Sequence, residues 1–175
     1  MACADVGSSL QFCSMILGYG NPVMDASCAA TREELAGLQL SVGVDGAIGL
    51  DDAAKQRVIE HCLAHPAVSY TPGGTALNAV RVAQACLGTA GSTGFVGAVA
   101  ADALGERLQR LIAEGGVSPT LQVVDGPDST GYCAVLVCEN DRALAGLPGA
   151  ASRLSSSFVE AQAPLIDGAR CVCIV

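Results

Sequence analysis

The sequence opens with no basic segment and contains no apolar run near the ~18 residues that a membrane-crossing helix needs. No secretory leader, mitochondrial presequence or membrane span is expected, and the default compartment is cytoplasmic. Positive charge is scarce: Lys and Arg number 9 against 17 Asp and Glu, for a net charge of −8. That balance argues against nucleic acid and against anionic membrane as partners. It still allows a phosphorylated ligand, held by backbone N–H groups and one or two arginines. No Cys-x-x-Cys pair occurs among the 9 cysteines. Most sit in apolar runs, which fits small buried hydrophobes in a reducing compartment rather than a disulfide or zinc framework. No His-Glu-x-x-His accompanies His61 and His65, and Pro66 ends their helix, so solvation at a helix end accounts for them and no metal site is expected. Internal repeats and low-complexity linkers are also missing.

What remains is a globular balance. Hydrophobic residues make up 51% and charged residues 15% of 175, enough for one domain with a sizeable core. Segments alternate between strand and helix patterns. Strands are expected at 14–17, 68–70, 92–99, 121–124, 132–138, 142–147 and 171–175, the last of them buried. Helices are expected at 31–38, 51–64, 75–87, after a cap at Asp102, and weakly at 158–165. Gly88 and Gly115-Gly116 supply stops. Strands separated by helices of this length imply βαβ units around a mostly parallel sheet. An α/β fold follows.

Three segments could carry chemistry. In Gly18-Tyr19-Gly20-Asn21-Pro22-Val23-Met24-Asp25 a strand opens into Gly-x-Gly, but Val23 stands where a dinucleotide fingerprint needs its third glycine, and Pro22 breaks the register. Asn21 and Asp25 then follow a strand end. Asp25 either caps the next turn or accepts hydrogen bonds from a vicinal diol such as a ribose. In Pro72-Gly73-Gly74-Thr75-Ala76-Leu77-Asn78 two glycines at a strand-to-helix junction permit close backbone approach to a ligand, and Asn78 can donate and accept. The alternative is a tight turn with a polar helix position. No Gly-Lys-Ser/Thr follows, so this is not a Walker loop. In Gly97–Gly105 a helix cap at Asp102 and close-packing glycines are a sufficient account.

Taken together, these segments resemble the ribokinase-like (phosphofructokinase-B type) kinases. The family's first signature is a double glycine, an Asn four positions on, an Ala-rich helix and a glycine-spaced strand leading to Gly-x-Asp-x-x-Gly. It reads here as Gly73-Gly74, Asn78, Ala79–Ala83, Phe95-Val96-Gly97 and Asp102–Gly105. Within the family the match narrows to the adenosine kinases. Gly20–Asp25 is similar to their nucleoside-binding segment, Arg81-Val82-Ala83-Gln84 to their helix, and Thr130–Ala134 with Asp141–Leu144 to a later strand pair.

The resemblance implies a three-layer α/β/α fold with a small β lid fed by about 18–50 and 117–149. It implies a reaction of ATP, assisted by Mg²⁺, with adenosine to give AMP and ADP. Asp25 would hold the ribose hydroxyls, assisted by Gly74 and Asn78, with Asn21 and Gly73 in the same substrate-binding set. Thr75 would approach the adenine, Ile48 and Leu144 would contact the base, and Arg142 would lie on the phosphate side of the catalytic site. The chain departs from the pattern at Gly46, where the family has a polar residue, and at Gly146–Ser152, which only loosely matches an Asn-Leu-x-x-Ala-Asn loop. The family's Gly-Ala-Gly-Asp turn, source of the catalytic aspartate and the anion hole, does not occur in the sequence.

The residues are therefore expected to form the nucleoside-binding half of such a kinase, with no resident cofactor of their own, and to be inactive alone. A sugar kinase of the same family and a non-catalytic nucleoside-binding module are the rival readings. A sheet stopping at 171–175 is expected to leave an apolar edge, and with it poor solubility or self-association. Sedimentation of the purified chain checks this: oligomers are expected, and a monodisperse, cooperatively unfolding monomer contradicts it.

Overall fold

The computed structural model describes residues 16–43 and 49–175. In chain order it contains β1 (Ile16–Tyr19), β2 (Val23–Ala29), α1 (Arg32–Gly37), α2 (Asp52–Leu63), β3 (Ser69–Gly73), α3 (Thr75–Leu87), β4 (Thr93–Ala100) and α4 (Ala103–Glu114). These are followed by β5 (Ser118–Val124), β6 (Tyr132–Cys138), β7 (Asp141–Leu147), a 3-10 turn (Gly149–Arg153), α5 (Ser156–Ala161), α6 (Ala163–Gly168) and β8 (Cys171–Ile174). The helix boundaries follow the caps legible in the sequence. Asp51 Oδ1 accepts from Ala54 N at 2.7 Å, Asp102 Oδ1 accepts from Gly105 N at 2.7 Å, and Gly88 ends α3.

Two sheets result. The first runs β5-β4-β1-β8, all parallel. Every residue of β4 is buried, as a strand covered on both faces requires. On one face Phe95 and Val99 pack against Leu77 and Val80 of α3 and Leu108 and Ile112 of α4. On the other, Leu17, Tyr19 and Val96 lie under Phe158 and Val159 of α5 and Leu165 and Ile166 of α6. This is the three-layer α/β/α arrangement with a mostly parallel central sheet. The second, smaller sheet runs β3-β2-β6-β7. Its central pair β2–β6 is parallel, and both outer pairs are antiparallel. Of the stretches 18–50 and 117–149, β2, β6 and β7 lie in this sheet, while the end of β1 and β5 belong to the parallel one. One face packs on Leu35 of α1 and Val58, Ile59 and Cys62 of α2. The opposite face carries a cleft.

Four expectations need correction. The segment 171–175 is a strand but not a buried one: Ile174 is 77% and Val175 65% exposed. Among the described residues its one strand neighbour is β1, and the flanking helices cover β1 and β4 rather than the edge. The weak helix at 158–165 is two short helices meeting at Gln162, with Pro164 in the first turn of the second, where a missing N–H costs nothing. The strands expected at 68–70 and 121–124 are longer, reaching Gly73 and starting at Ser118. Each thereby includes a proline, Pro72 or Pro119, tolerated because β3 and β5 are both edge strands. The cysteines divide: Cys28, Cys62 and Cys138 are buried, while Cys86 and Cys171 are exposed.

Asp102 does more than cap α4. Its carboxylate also accepts from Thr130 N at 2.8 Å and from Thr130 Oγ1 at 2.7 Å, and Thr130 Oγ1 accepts from Ala100 N at 3.1 Å. One side chain thus joins the β4–α4 turn of the parallel sheet to the residue leading into β6 of the smaller one. Burial opposes its ionisation, but the hydrogen bonds from Thr130 and Gly105 outweigh it and hold the acid below its ordinary range. A depressed carboxylate contributes stability above its unfolded pKa and loses it as pH falls through the folded one. Asp102→Ala is expected to cost about 2 kcal/mol at neutral pH in urea unfolding, a difference that narrows in acid. A pH-independent difference would show that the charge plays no part.

Candidate functional site

The site begins with a strand that the sequence patterning hides behind Pro22. In β2 the side chains of Met24, Ala26 and Cys28 are buried, while Val23, Asp25 and Ser27 face the other way. Asp25 is therefore neither beyond a strand end nor a turn cap: it stands mid-strand, paired with Thr71 on β3 and Cys133 on β6. Period-two alternation fixes its direction. The same alternation on β6 turns Cys133 and Val135 to the shared face, and on β7 Arg142 and Leu144.

The β3–α3 junction closes the cleft from the side. Gly74 has φ of 104°, in the region that disfavours a side chain, and a Cβ there would overlap the Asn21 carbonyl oxygen. A Cβ at Gly73 would overlap the Asp25 carboxyl group. Both glycines are demanded by contact with the segment that carries Asp25. Thr75 and Asn78 then rise on the first turn of α3.

The resulting cleft has a volume of about 490 Å³, within the range of small-molecule sites. It brings together Asp25, Gly74, Thr75, Asn78, Arg142 and Leu144. Asn21 and Gly73 do not line it: Asn21 is exposed and its carbonyl lies under Gly74, while Gly73 is buried beneath the Asp25 carboxyl. Ile48 and Gly46 lie outside the described residues. Sequence reasoning missed Val23, Ser27, Thr71, Cys133 and Val135, which also line the cleft. The alternation of Met24, Ala26 and Cys28 was the signal for the first two.

The electrostatics single out Asp25. Burial raises its carboxyl above the ordinary range, and the Arg81 charge opposes that rise. The Cys133 thiol is pushed up to about 11 by burial and then by the Asp25 charge, so it is a neutral wall at physiological pH. The Arg142 guanidinium has no ion-pair or hydrogen-bond partner among the described residues, while its backbone is fixed by bonds from Arg142 N to Asp141 Oδ1 and from Gly43 N to Arg142 O, each 2.8 Å. No three His, Cys, Asp or Glu side chains converge as a metal site among the described residues.

The model of the pfkB family of carbohydrate kinases matches residues 48–174. The chain belongs to that family. Among pfkB relatives it is similar to the adenosine kinase of Saccharomyces cerevisiae, 31% identical over 154 residues, covering 86% of this chain and 44% of that protein. Among solved structures it resembles the adenosine kinase of Schistosoma mansoni in complex with 2-fluoroadenosine, with a TM-score of 0.80 at 25% identity over 91% of this chain and 46% of that one. It also resembles the adenosine kinase of Trypanosoma brucei brucei, with a TM-score of 0.77 at 27% identity over 89% and 46%. The pfkB chain described here thus spans less than half the length of these relatives. Among its described residues no helix is long and apolar enough to cross a membrane.

A raised carboxyl pKa means that ionising Asp25 opposes folding of the ligand-free protein. The favourable contribution is complete below the unfolded pKa and is lost as pH rises through the folded one. Asp25→Asn is expected to raise the melting temperature at pH 7 and to leave it unchanged near ~pH 3, where both side chains are neutral. A variant less stable than the parent at pH 7 would show that the carboxylate is stabilised in place.

Proposed function

We propose that these residues form the nucleoside-binding part of an adenosine kinase, the enzyme that converts ATP and adenosine to AMP and ADP. The observation that carries this reading is the convergence, in one cleft, of an acceptor carboxylate (Asp25), a glycine backbone (Gly74), an amide (Asn78) and apolar strand residues (Val135, Leu144). A ribose has two vicinal hydroxyls that can donate to one carboxylate, and a purine needs an apolar wall. Asp25 would bind the diol, Gly74 N–H and Asn78 would complete its hydrogen bonds, and Leu144 would pack on the base. The half-covered sheet of β2, β3, β6 and β7 would serve as the lid, excluding water from the bound nucleoside. Arg142, on β7, would face the anionic end of the site.

ATP supplies the phosphoryl group when bound, and Mg²⁺ neutralises charge on it. The described residues do not fit that group: they hold no metal-ligand cluster, and Asp25 is the single carboxylate lining the cleft. With Asp25 engaged by ribose, none of these residues is placed as a base for the 5′-hydroxyl, and no transfer step is assigned to them. Binding without phosphorylation is the activity proposed for the 175 residues alone.

The second reading, a sugar kinase, rests on the breadth of the pfkB carbohydrate-kinase family. Calorimetry separates the two. Saturable adenosine binding, lost in Asp25→Ala and not displaced by equimolar ribose, is expected. Equal displacement by ribose would favour the sugar kinase, and a folded chain that binds neither would leave kinship as the whole of the resemblance.

A further inference from the structure

Arg81 does not line the cleft, yet it bonds one of the cleft's polar groups and acts on another. It stands on the second turn of α3, half-buried. Its Nη1 donates to Pro72 O at 2.6 Å and to Asn78 Oδ1 at 3.1 Å. Guanidinium has donors only, so Asn78 must turn its oxygen toward Arg81. What Asn78 offers to the cleft is then its Nδ2 hydrogens. The bond to Pro72 O fixes the end of β3, next to Thr71, which pairs with Asp25. No direct ion pair joins Arg81 to Asp25; the charge acts through space.

We propose that Arg81 is a positioning residue that sets the polarity of the site, holding Asn78 as a hydrogen-bond donor and Asp25 as an acceptor. Such a pair reads hydroxyl groups. A hydroxyl can donate to Asp25 and accept from Asn78 at once. An ammonium has nothing to give Asn78, and a carbonyl has nothing to give Asp25. The double role selects a diol and rejects the deoxy form, since a polar group left unmatched under a bound ligand costs more than a hydrogen bond gains. This inference rests on the nucleoside reading for the identity of the diol but not for the action of Arg81 on Asp25.

Among the described residues, the other groups beside Asp25 come from β3, β6 and β7. Cys133 faces it from β6 as a neutral thiol, Thr71 and Gly73 on β3 carry no charge, and Arg142 on β7 shares the cleft. Arg81 on α3 is the cation whose influence on the carboxyl is felt.

The test uses the whole 175-residue chain, with Arg81→Met, Arg81→Gln and Arg81→Lys. The first readout needs no ligand: the Asp25 carboxyl is titrated by carbon-13 NMR. Arg81→Met and Arg81→Gln are expected to move the midpoint upward, and Arg81→Lys to return it toward the parent value. The second readout is adenosine binding as a function of pH. At neutral pH Arg81→Met and Arg81→Gln are expected to bind about tenfold more weakly, with the acid limb displaced to higher pH. Binding of 2′,3′-dideoxyadenosine, which has no diol to read, should be equal in parent and variants. Arg81→Gln keeps a donor for Pro72 and a good helix former, so it carries the test should Arg81→Met fail to fold. An unmoved midpoint in a folded neutral variant overturns the proposal, as does equal loss of adenosine and dideoxyadenosine. A moved midpoint in a chain that takes no adenosine upholds the action of Arg81 on Asp25 and defeats the nucleoside reading instead.

Discussion

The structure depends on how closely two backbone segments approach at one corner. β2 and the β3–α3 junction come together so tightly that the Asp25 carboxyl lies over Gly73 and the Asn21 carbonyl lies over Gly74. Any side chain at either glycine would push the junction away. The separation would move Thr75 and Asn78 off the cleft and detach Thr71 from Asp25. The constraint continues into the parallel sheet, where a Cβ at Gly97 would meet Pro22 Cδ at 2.7 Å and Gly20 O at 2.9 Å. The glycines of the family signature are thus places where one chain segment lies directly on another, with the Asp25 carboxylate held at their meeting point.

The two sheets divide the labour. The parallel sheet is covered on both faces over β1 and β4, and β4 is buried along its whole length. The smaller sheet is covered on one face by α1 and α2 and leaves the other to the cleft. A sheet with one dry face and one wet face must alternate small apolar residues with residues that can meet a ligand. Met24, Ala26 and Cys28 against Val23, Asp25 and Ser27 is that alternation. The sheets share an apolar contact, Met24 of β2 with Phe95 of β4 in one core, and a polar link through Asp102 and Thr130. A polar link is directional, so it fixes the orientation of the smaller sheet more closely than apolar contact alone.

Much of this was legible in the sequence wherever a local rule governed the residues. The boundaries of α3 and α4 and the extent of β6 follow from Gly88, Asp102 and a continuous apolar run. Asp25, Gly74, Thr75, Asn78, Arg142 and Leu144 stand out in the sequence, but the sheet that brings them together does not. The strand carrying Asp25 was hidden because Pro22 reads as a stop, and because Asp, Ser and Ala are poor strand formers that owe their conformation to β3 and β6. Cys133 and Val135 are hidden for a different reason: which face of β6 meets the cleft is decided by its pairing with β2, more than a hundred positions earlier. The exposure of β8 was misread because an apolar run looks the same at the centre of a sheet and at its edge.

The order in which the strands pair bears on how the chain reaches this state. β1, near the start, lies between β4 and β8, and β2 finds its parallel partner in β6. Neither can complete its ladder until segments far downstream of it have been made. β1 and β2 must wait with open backbone until those segments arrive, and closing such long loops is slow. The acid-rich composition, with few basic residues to neutralise it, leaves that waiting chain with like charges that oppose its association through open strands.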